Sequence, residues 1–368
     1  MTDDAMSLRA LGRATLARQM LLAREKVTPV AAIERLAGVQ AQLGRPAFVA
    51  LWTRVDGFRA DELRAQIAKR KVVRATLMRA TLHMVSARDY RMIRPALAPM
   101  LIGAMKKVLG ARASSIDPDA LERAARDALG GGAMTFEELR PRLAKAMKHG
   151  DERALGYAVR VMLPLVQASD GAPWGWGTGG SFALAESYLD TKIEHTTEPD
   201  ALVLRYLAAL GPATPQDAQV WSGLPRLREV FDRLRPKLRV FRDAKGRELF
   251  DLPRAPRPDQ DTPAPVRFLP DWDNLILSHA DRTRVIDDAH RKLISTGNLG
   301  LLSTFTVDGR VAGRWRAARE KRRAILSIDP FVKLAKKELR DVEREGAALL
   351  AFLEPELEDH DVRVQRKV

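Results

Sequence analysis

Apolar positions recur at helical spacing in three successive stretches, and each stretch closes on residues whose pattern fits strands. In the first, Leu11, Leu16, Met20 and Leu21 mark one helix, and Thr28-Pro29 opens a second through Ile33, Leu36 and Ala37. A third runs from about Ala60 to Lys71, and the extended run Val72 to Val85 comes after it. The second stretch, about Asp117 to Leu189, places helix starts at Asp117-Pro118 and at Thr135-Phe136-Glu137-Glu138, with a third helix over Glu152 to Val166. Pro173 to Phe182 then reads as two short strands around a Gly-rich turn. The third, about Pro199 to Leu252, has helices over Leu202–Leu210, from Thr214-Pro215 toward Trp221, and over Leu224–Leu234. It ends in a strand–turn–strand at Leu238–Phe241, Asp243–Gly246 and Glu248–Phe250.

In each stretch a Thr offers an oxygen to the unpaired N–H groups of a helix's first turn, and Pro or acidic residues just inside reinforce it. Three helices followed by a hairpin describe a helix-turn-helix with a β-wing, and the pattern occurs three times in a row. Five prolines between residues 253 and 265 prevent both helix and central strand. Beyond them Val266–Leu269, Leu275–Leu277, Leu301–Val307, Arg310–Arg316 and Ala324–Ile328 read as strands, with Asp308-Gly309 as a hairpin turn and a closing helix from Pro330 to about Glu345. The expected fold is α+β: three tandem winged-helix domains over residues 1–100, 101–195 and 196–255, then a β-rich domain over 256–368.

Charge narrows the class of partner. The chain carries 62 Lys and Arg against 47 Asp and Glu, a net +15, and residues 1–100 alone hold 18 against 8. Two thirds of the excess therefore lies in the first hundred residues, the footprint of a polyanion-binding surface; an Arg-rich composition throughout the source's proteins is the plainer alternative. No Cys is present, which removes disulfides, thiolate nucleophiles and Cys-ligated zinc. The six His form no close ligand pairs, so neither metal nor cofactor is expected. The longest uncharged runs are too short to span a membrane as helices, and a cytoplasmic, nucleoid-associated location is expected.

Carboxylates, amides, His and Arg remain as carriers of chemistry. No Gly-x-x-x-x-Gly-Lys loop occurs, and residues 175–180 lack a subsequent helix start. Asp271-Trp272-Asp273 and Asp287-Asp288 fit ordinary turns better than acid–base work. Gln40-Ala41-Gln42, which precedes Gly44-Arg45-Pro46, is the unusual feature. In a continuing helix its amides point about 200° apart; in an unwound chain both fall on one side. Such a pair is either a solvated helix terminus or two amides that hold and orient a water.

Leu36-Ala37-Gly38-Val39-Gln40-Ala41-Gln42 resembles the signature of winged-helix DNA glycosylases of the AlkZ/YcaQ type. So do Val49 to Arg54, Met78 to Val85, Leu210 to Pro215 with Trp221 to Leu224, Leu269 to Asn274, and Val307 to Trp315. The resemblance implies three tandem winged helices with a C-terminal β domain. It also implies a monofunctional glycosylase that hydrolyses the N-glycosidic bond of bulky or crosslinked N7-alkylated purines in duplex DNA. The family's Gln–aliphatic–Gln motif falls on Gln40 and Gln42, which would hold water against the anomeric carbon. Arg45, Arg54, Arg74 and Arg79 are the expected phosphate contacts, with Thr81 and His83 on one strand face with Arg79; His83 either meets DNA or is a satisfied structural histidine. A monomer is expected, because the internal repeat already supplies several DNA-facing modules. The alternative is a non-catalytic DNA-binding protein, a regulator or a factor that shields damage; a protein-interaction scaffold fits the basic first hundred residues poorly.

Overall fold

Helix starts fall where side chains cap them. In the computed structural model, which describes residues 5–148, 150–193, 196–296 and 300–365, Thr28, Asp117, Thr135 and Thr214 each accept N–H groups of the first helical turn. Thr135 and Thr214 do so in reciprocal boxes closed by Glu138 and Asp217, each cap contributing about 1 kcal/mol. The helices bury their apolar stripes in a core that runs from Val85 and Tyr90, through Leu139 and Val159, to Trp221 and Phe231.

The hairpins do not stay separate. Val72–Thr76 and Leu82–Ser86 pair antiparallel as the alternation predicts. Val39–Gln40 adds to the Leu82–Ser86 edge, while Leu165–Gln167, itself paired with Phe182–Leu184, joins Val72–Thr76. One five-stranded sheet is thus shared by the first and second stretches. In the third, Arg239–Asp243 and Glu248–Asp251 form the expected hairpin, and Ala5–Met6 pairs in parallel with its first strand. A second five-stranded sheet closes the chain, with Arg310–Glu320 at its centre, Asp359–Val364 and Arg267–Leu269 at its edges, and helix Lys336–Leu353 packed against it. The architecture is mixed α and β. Among the described residues no helix is long and apolar enough to cross a membrane.

Four local expectations need correction. Leu275–Leu277 belongs to a short helix, Asn274–Leu277, because Asp273 caps it through the Leu275 N–H; a short apolar run does not distinguish strand from buried helix. The strands around the Gly-rich segment lie outside it, at Leu165–Gln167 and Phe182–Leu184. The segment between them is a loop folded back by Asp170, which accepts the Ala172 and Gly177 N–H groups, and by Trp176, whose indole donates to the Gln167 carbonyl. Of the expected strand Leu301–Val307 only Thr304–Val307 joins the sheet, while Leu301 forms an isolated bridge with Ser295. The closing helix starts at Lys336 rather than Pro330, where Glu338 accepts the Ala335 N–H.

Two buried ion pairs tie the first stretch to distant parts of the chain. Arg18 meets Asp251 at 2.7 and 2.8 Å, and Arg54 meets Asp273 at 2.9 and 2.8 Å. The proline-rich linker is irregular, as its composition requires, and is held to the first helix by Arg13 on the Thr262 carbonyl and Ser7 on Gln260.

Candidate active site

Helix Pro29–Arg35 ends because Ala37 and Gly38 take left-handed backbone, with φ 57° and 88°. A Cβ at position 38 would stand 2.7 Å from Val85 Cγ1, so glycine is required there. The chain leaves extended, with Val39 and Gln40 registered against Met84 and His83, and the Ala41 N–H donates to the Leu82 carbonyl at 2.8 Å. Of the two arrangements open to the Gln pair, the unwound one is present.

The two amides nevertheless have different surroundings. Gln40 is 5% exposed, and its Oε1 accepts a hydrogen bond from Arg79 Nη2 at 2.7 Å. Gln42 is half-buried and lines a cleft of about 470 Å³ and a smaller one of about 240 Å³ beside it. Its Oε1 accepts the Leu82 N–H at 2.9 Å, which fixes the amide and leaves the second lone pair and the NH2 group for another molecule. Arg74 holds the backbone beneath, donating to the Ala41 carbonyl at 2.7 Å and the Gln42 carbonyl at 2.6 Å. Burial, with the charge of Arg160 second, pulls the Arg74 pKa down to about 10, and it stays cationic at neutral pH.

The second stretch supplies the opposite wall of the larger cleft through Phe136, Arg140, Arg160, Gln167 and Trp176. The Arg160 guanidinium lies 5.1 Å from the Phe136 ring centre and 5.0 Å from that of Phe182, within range of cation–π attraction. Burial lowers its pKa, and the neighbouring Arg140 charge adds to the effect. Arg140 and Arg160 each keep a buried Nε–H without a partner, and the Gln167 Oε1 is likewise unpaired in a side chain 4% exposed.

The remaining sequence candidates fall into distinct places. Arg45, on helix Gly44–Trp52, faces another cleft of about 650 Å³ beside Asp271, Arg314 and Trp315. Its Nη2 has no partner, and burial lowers its pKa. Arg54 is 1% exposed and committed to Asp273, so it presents nothing to a phosphate. Arg79 sits in the turn Met78–Ala80 rather than on the strand, and bridges Gln40 to the Trp221 carbonyl of the third stretch. Burial takes its pKa down to about 10. Thr81 closes the same turn, its hydroxyl donating to the Met78 carbonyl at 3.0 Å. His83 is enclosed, with Nδ1 3.0 Å from the Thr81 carbonyl and Nε2 unpaired. Burial first, and the Arg79 charge second, pull its pKa down to about 3, so the ring is neutral at physiological pH and faces the interior rather than a DNA surface. The single strand face expected for Arg79, Thr81 and His83 is absent, because only Leu82–Ser86 is strand.

The arrangement brings Gln42 and Arg74 together at one cleft and sets Gln40 and Arg79 behind it. It adds Arg140, Arg160, Gln167 and Trp176, which sequence reasoning missed. Residues 101–200 carry 12 basic against 14 acidic residues, so the charge balance pointed away from them. Among the described residues no group of three or more His, Asp or Glu is placed to hold a metal.

The profile of the family described as DNA glycosylase AlkZ-like matches residues 33–352. A solved structure, the Streptomyces sahachiroi DNA glycosylase AlkZ, aligns over 98% of this chain and 100% of its own with a TM-score of 0.80 at 22% identity. No curated protein matches the chain.

Proposed function

The chain belongs to the AlkZ-like family of DNA glycosylases, and from that premise we propose that it hydrolyses the N-glycosidic bond of N7-alkylated purines in duplex DNA, bulky and crosslinked adducts included, with water held at Gln42. Family membership makes the chain an enzyme rather than a DNA-binding regulator. The three helix–hairpin stretches, with the boundaries read from the sequence, act in this proposal as winged helices that carry the duplex past the cleft.

The observation that carries the reading is the fixed amide of Gln42 on the cleft wall, anchored by Leu82 and by Arg74 beneath it. N7 alkylation leaves the purine cationic and already a good leaving group, so no strong general acid is needed. The C1′–N9 bond breaks with its electron pair going to the base, which departs neutral, and positive charge develops on the sugar. Water adds to C1′ while one of its O–H groups donates to the free lone pair of Gln42 Oε1; its proton passes to solvent. The neutral amide orients the water rather than deprotonating it, which supplies proximity more than basicity. Gln40 supports this from behind, its own amide aligned by Arg79.

Arg45, Arg74, Arg140 and Arg160 are the proposed backbone contacts. Three of them surround the Gln42 cleft, where they attract a phosphodiester beside the lesion. Duplex containing one N7-alkylguanine, incubated with the protein and then with hot alkali, tests the reading. Wild type is expected to give strand cleavage, and Gln42→Ala none, with duplex affinity nearly unchanged. Full activity in Gln42→Ala would remove the proposed role.

A further inference from the structure

Leu43 breaks two local rules at once. It occupies the N-cap position of helix Gly44–Trp52, with φ −119° and ψ 157°, and forms no side-chain cap. Ser, Thr, Asp or Asn belongs there, and an aliphatic residue forgoes the hydrogen bond that each supplies. Its side chain is also 51% exposed, one of six large apolar side chains so exposed among the described residues. It lines both large clefts, where the other five line neither.

The loop that carries it is rigid. Arg74 grips the two carbonyls before it, and Gln42 is tied to Leu82. Gly44 packs so closely on the Trp174 carbonyl that no side chain fits there. An apolar side chain on a fixed support therefore projects between two clefts, one lined by Arg74, Arg140 and Arg160 with Glu137, the other by Arg45, Arg314 and Arg316 with Asp271 and Asp329. A backbone drawn to the arginines of these clefts would leave the base stack to meet the aliphatic group between them.

Resting on the glycosylase reading, we propose that Leu43 is the wedge that enters the base stack of duplex DNA beside the lesion and holds it open while Gln42 presents water to the sugar. Apolar wedges of this kind unstack a base step and kink the duplex in other DNA-binding proteins. Leu43 touches bases rather than the reacting atoms, which makes it a positioning residue.

The test measures single-turnover base release from two substrates: an N7-alkylguanine in fully paired duplex, and the same lesion inside a mismatched bubble that is already unstacked. Leu43→Ala is expected to slow release from the paired duplex by roughly tenfold or more and to leave the bubble nearly unaffected, while Leu43→Met restores the paired rate. A 2-aminopurine placed beside the lesion should brighten on binding wild type and Leu43→Met but not Leu43→Ala. Equal losses on both substrates, no loss on either, or a silent 2-aminopurine with wild type would each overturn the wedge. Absence of base release by wild type from both substrates would instead overturn the glycosylase reading, and the fluorescence would still decide the wedge.

Discussion

Two groups of arginines meet the first stretch, and they differ in one respect. Arg18 and Arg54 each meet a carboxylate with both guanidinium nitrogens. Arg74, Arg140 and Arg160 gather about Gln42, where Arg74 bonds only to backbone carbonyls and the other two keep buried N–H groups without partners. A charge count treats all five alike. The paired ones are internal ties whose desolvation is offset at the interface they join. The unpaired ones raise one another's energy, which in the proposed function a DNA phosphate relieves. The distance to the nearest carboxylate, rather than the number of arginines, separates architecture from recognition.

Breaking the paired class should give the largest effect. Asp273→Ala strands Arg54 in the interior and is expected to destabilise the fold by about 3–5 kcal/mol, read from urea unfolding; a loss below about 1 kcal/mol would erase the distinction between the classes. The unpaired class should respond in the opposite way. Arg140→Gln with Arg160→Gln is expected to leave the melting temperature unchanged or higher, since two cations without counter-ions are removed. The log–log salt slope of duplex binding should fall by about 0.9 for each phosphate no longer neutralised. An unchanged slope in a folded variant would show that these cations meet no phosphate.

The smallest effect at neutral pH concerns the buried ring of His83. His83 has a folded pKa of about 3 against an ordinary value of 6.5, so between those values the unfolded chain binds the extra proton. Its contribution is complete above about pH 6.5 and is lost as pH falls toward 3, with a slope of at most about 1.4 kcal/mol per pH unit. His279, lowered to about 3 chiefly by burial, acts in the same sense. His83→Asn should flatten but not abolish the acid limb of stability measured by urea midpoints. Base release should show no break near pH 6.5 from His83.

Much of the scaffold was legible because its signals are local. Thr28, Thr135 and Thr214 cap helices with their own side chains, and alternation in Val72 to Val85 fixes a hairpin that needs only its two strands. The Gln pair could be singled out, but whether it lay in helix or strand depended on Val85 and Leu82, which are distant in sequence. Arg54 and Arg74 look equivalent along the chain; only folding brings Asp273 to one and leaves the other over Trp176. Arg140 and Arg160 sit on separate helices in a stretch of slightly acidic balance, and nothing short of the tertiary structure identifies them. The Gly-rich loop failed as a hairpin because the bonds of Asp170 and Trp176, rather than turn chemistry, shape it.

The sheet shared by the first two stretches has a consequence for how such a chain can change. Repeats that fold as independent beads can be exchanged, duplicated or dropped one at a time. Here Arg74 pairs in register with Gln167, so the strand that supports the Gln42 loop has its neighbour in the next stretch. Replacing that repeat with a foreign copy would disturb the register beneath Gln42 even if every residue of the first stretch were kept. The unit of inheritance for this site is therefore the pair of repeats, and lineages that recombine these modules should move the two together.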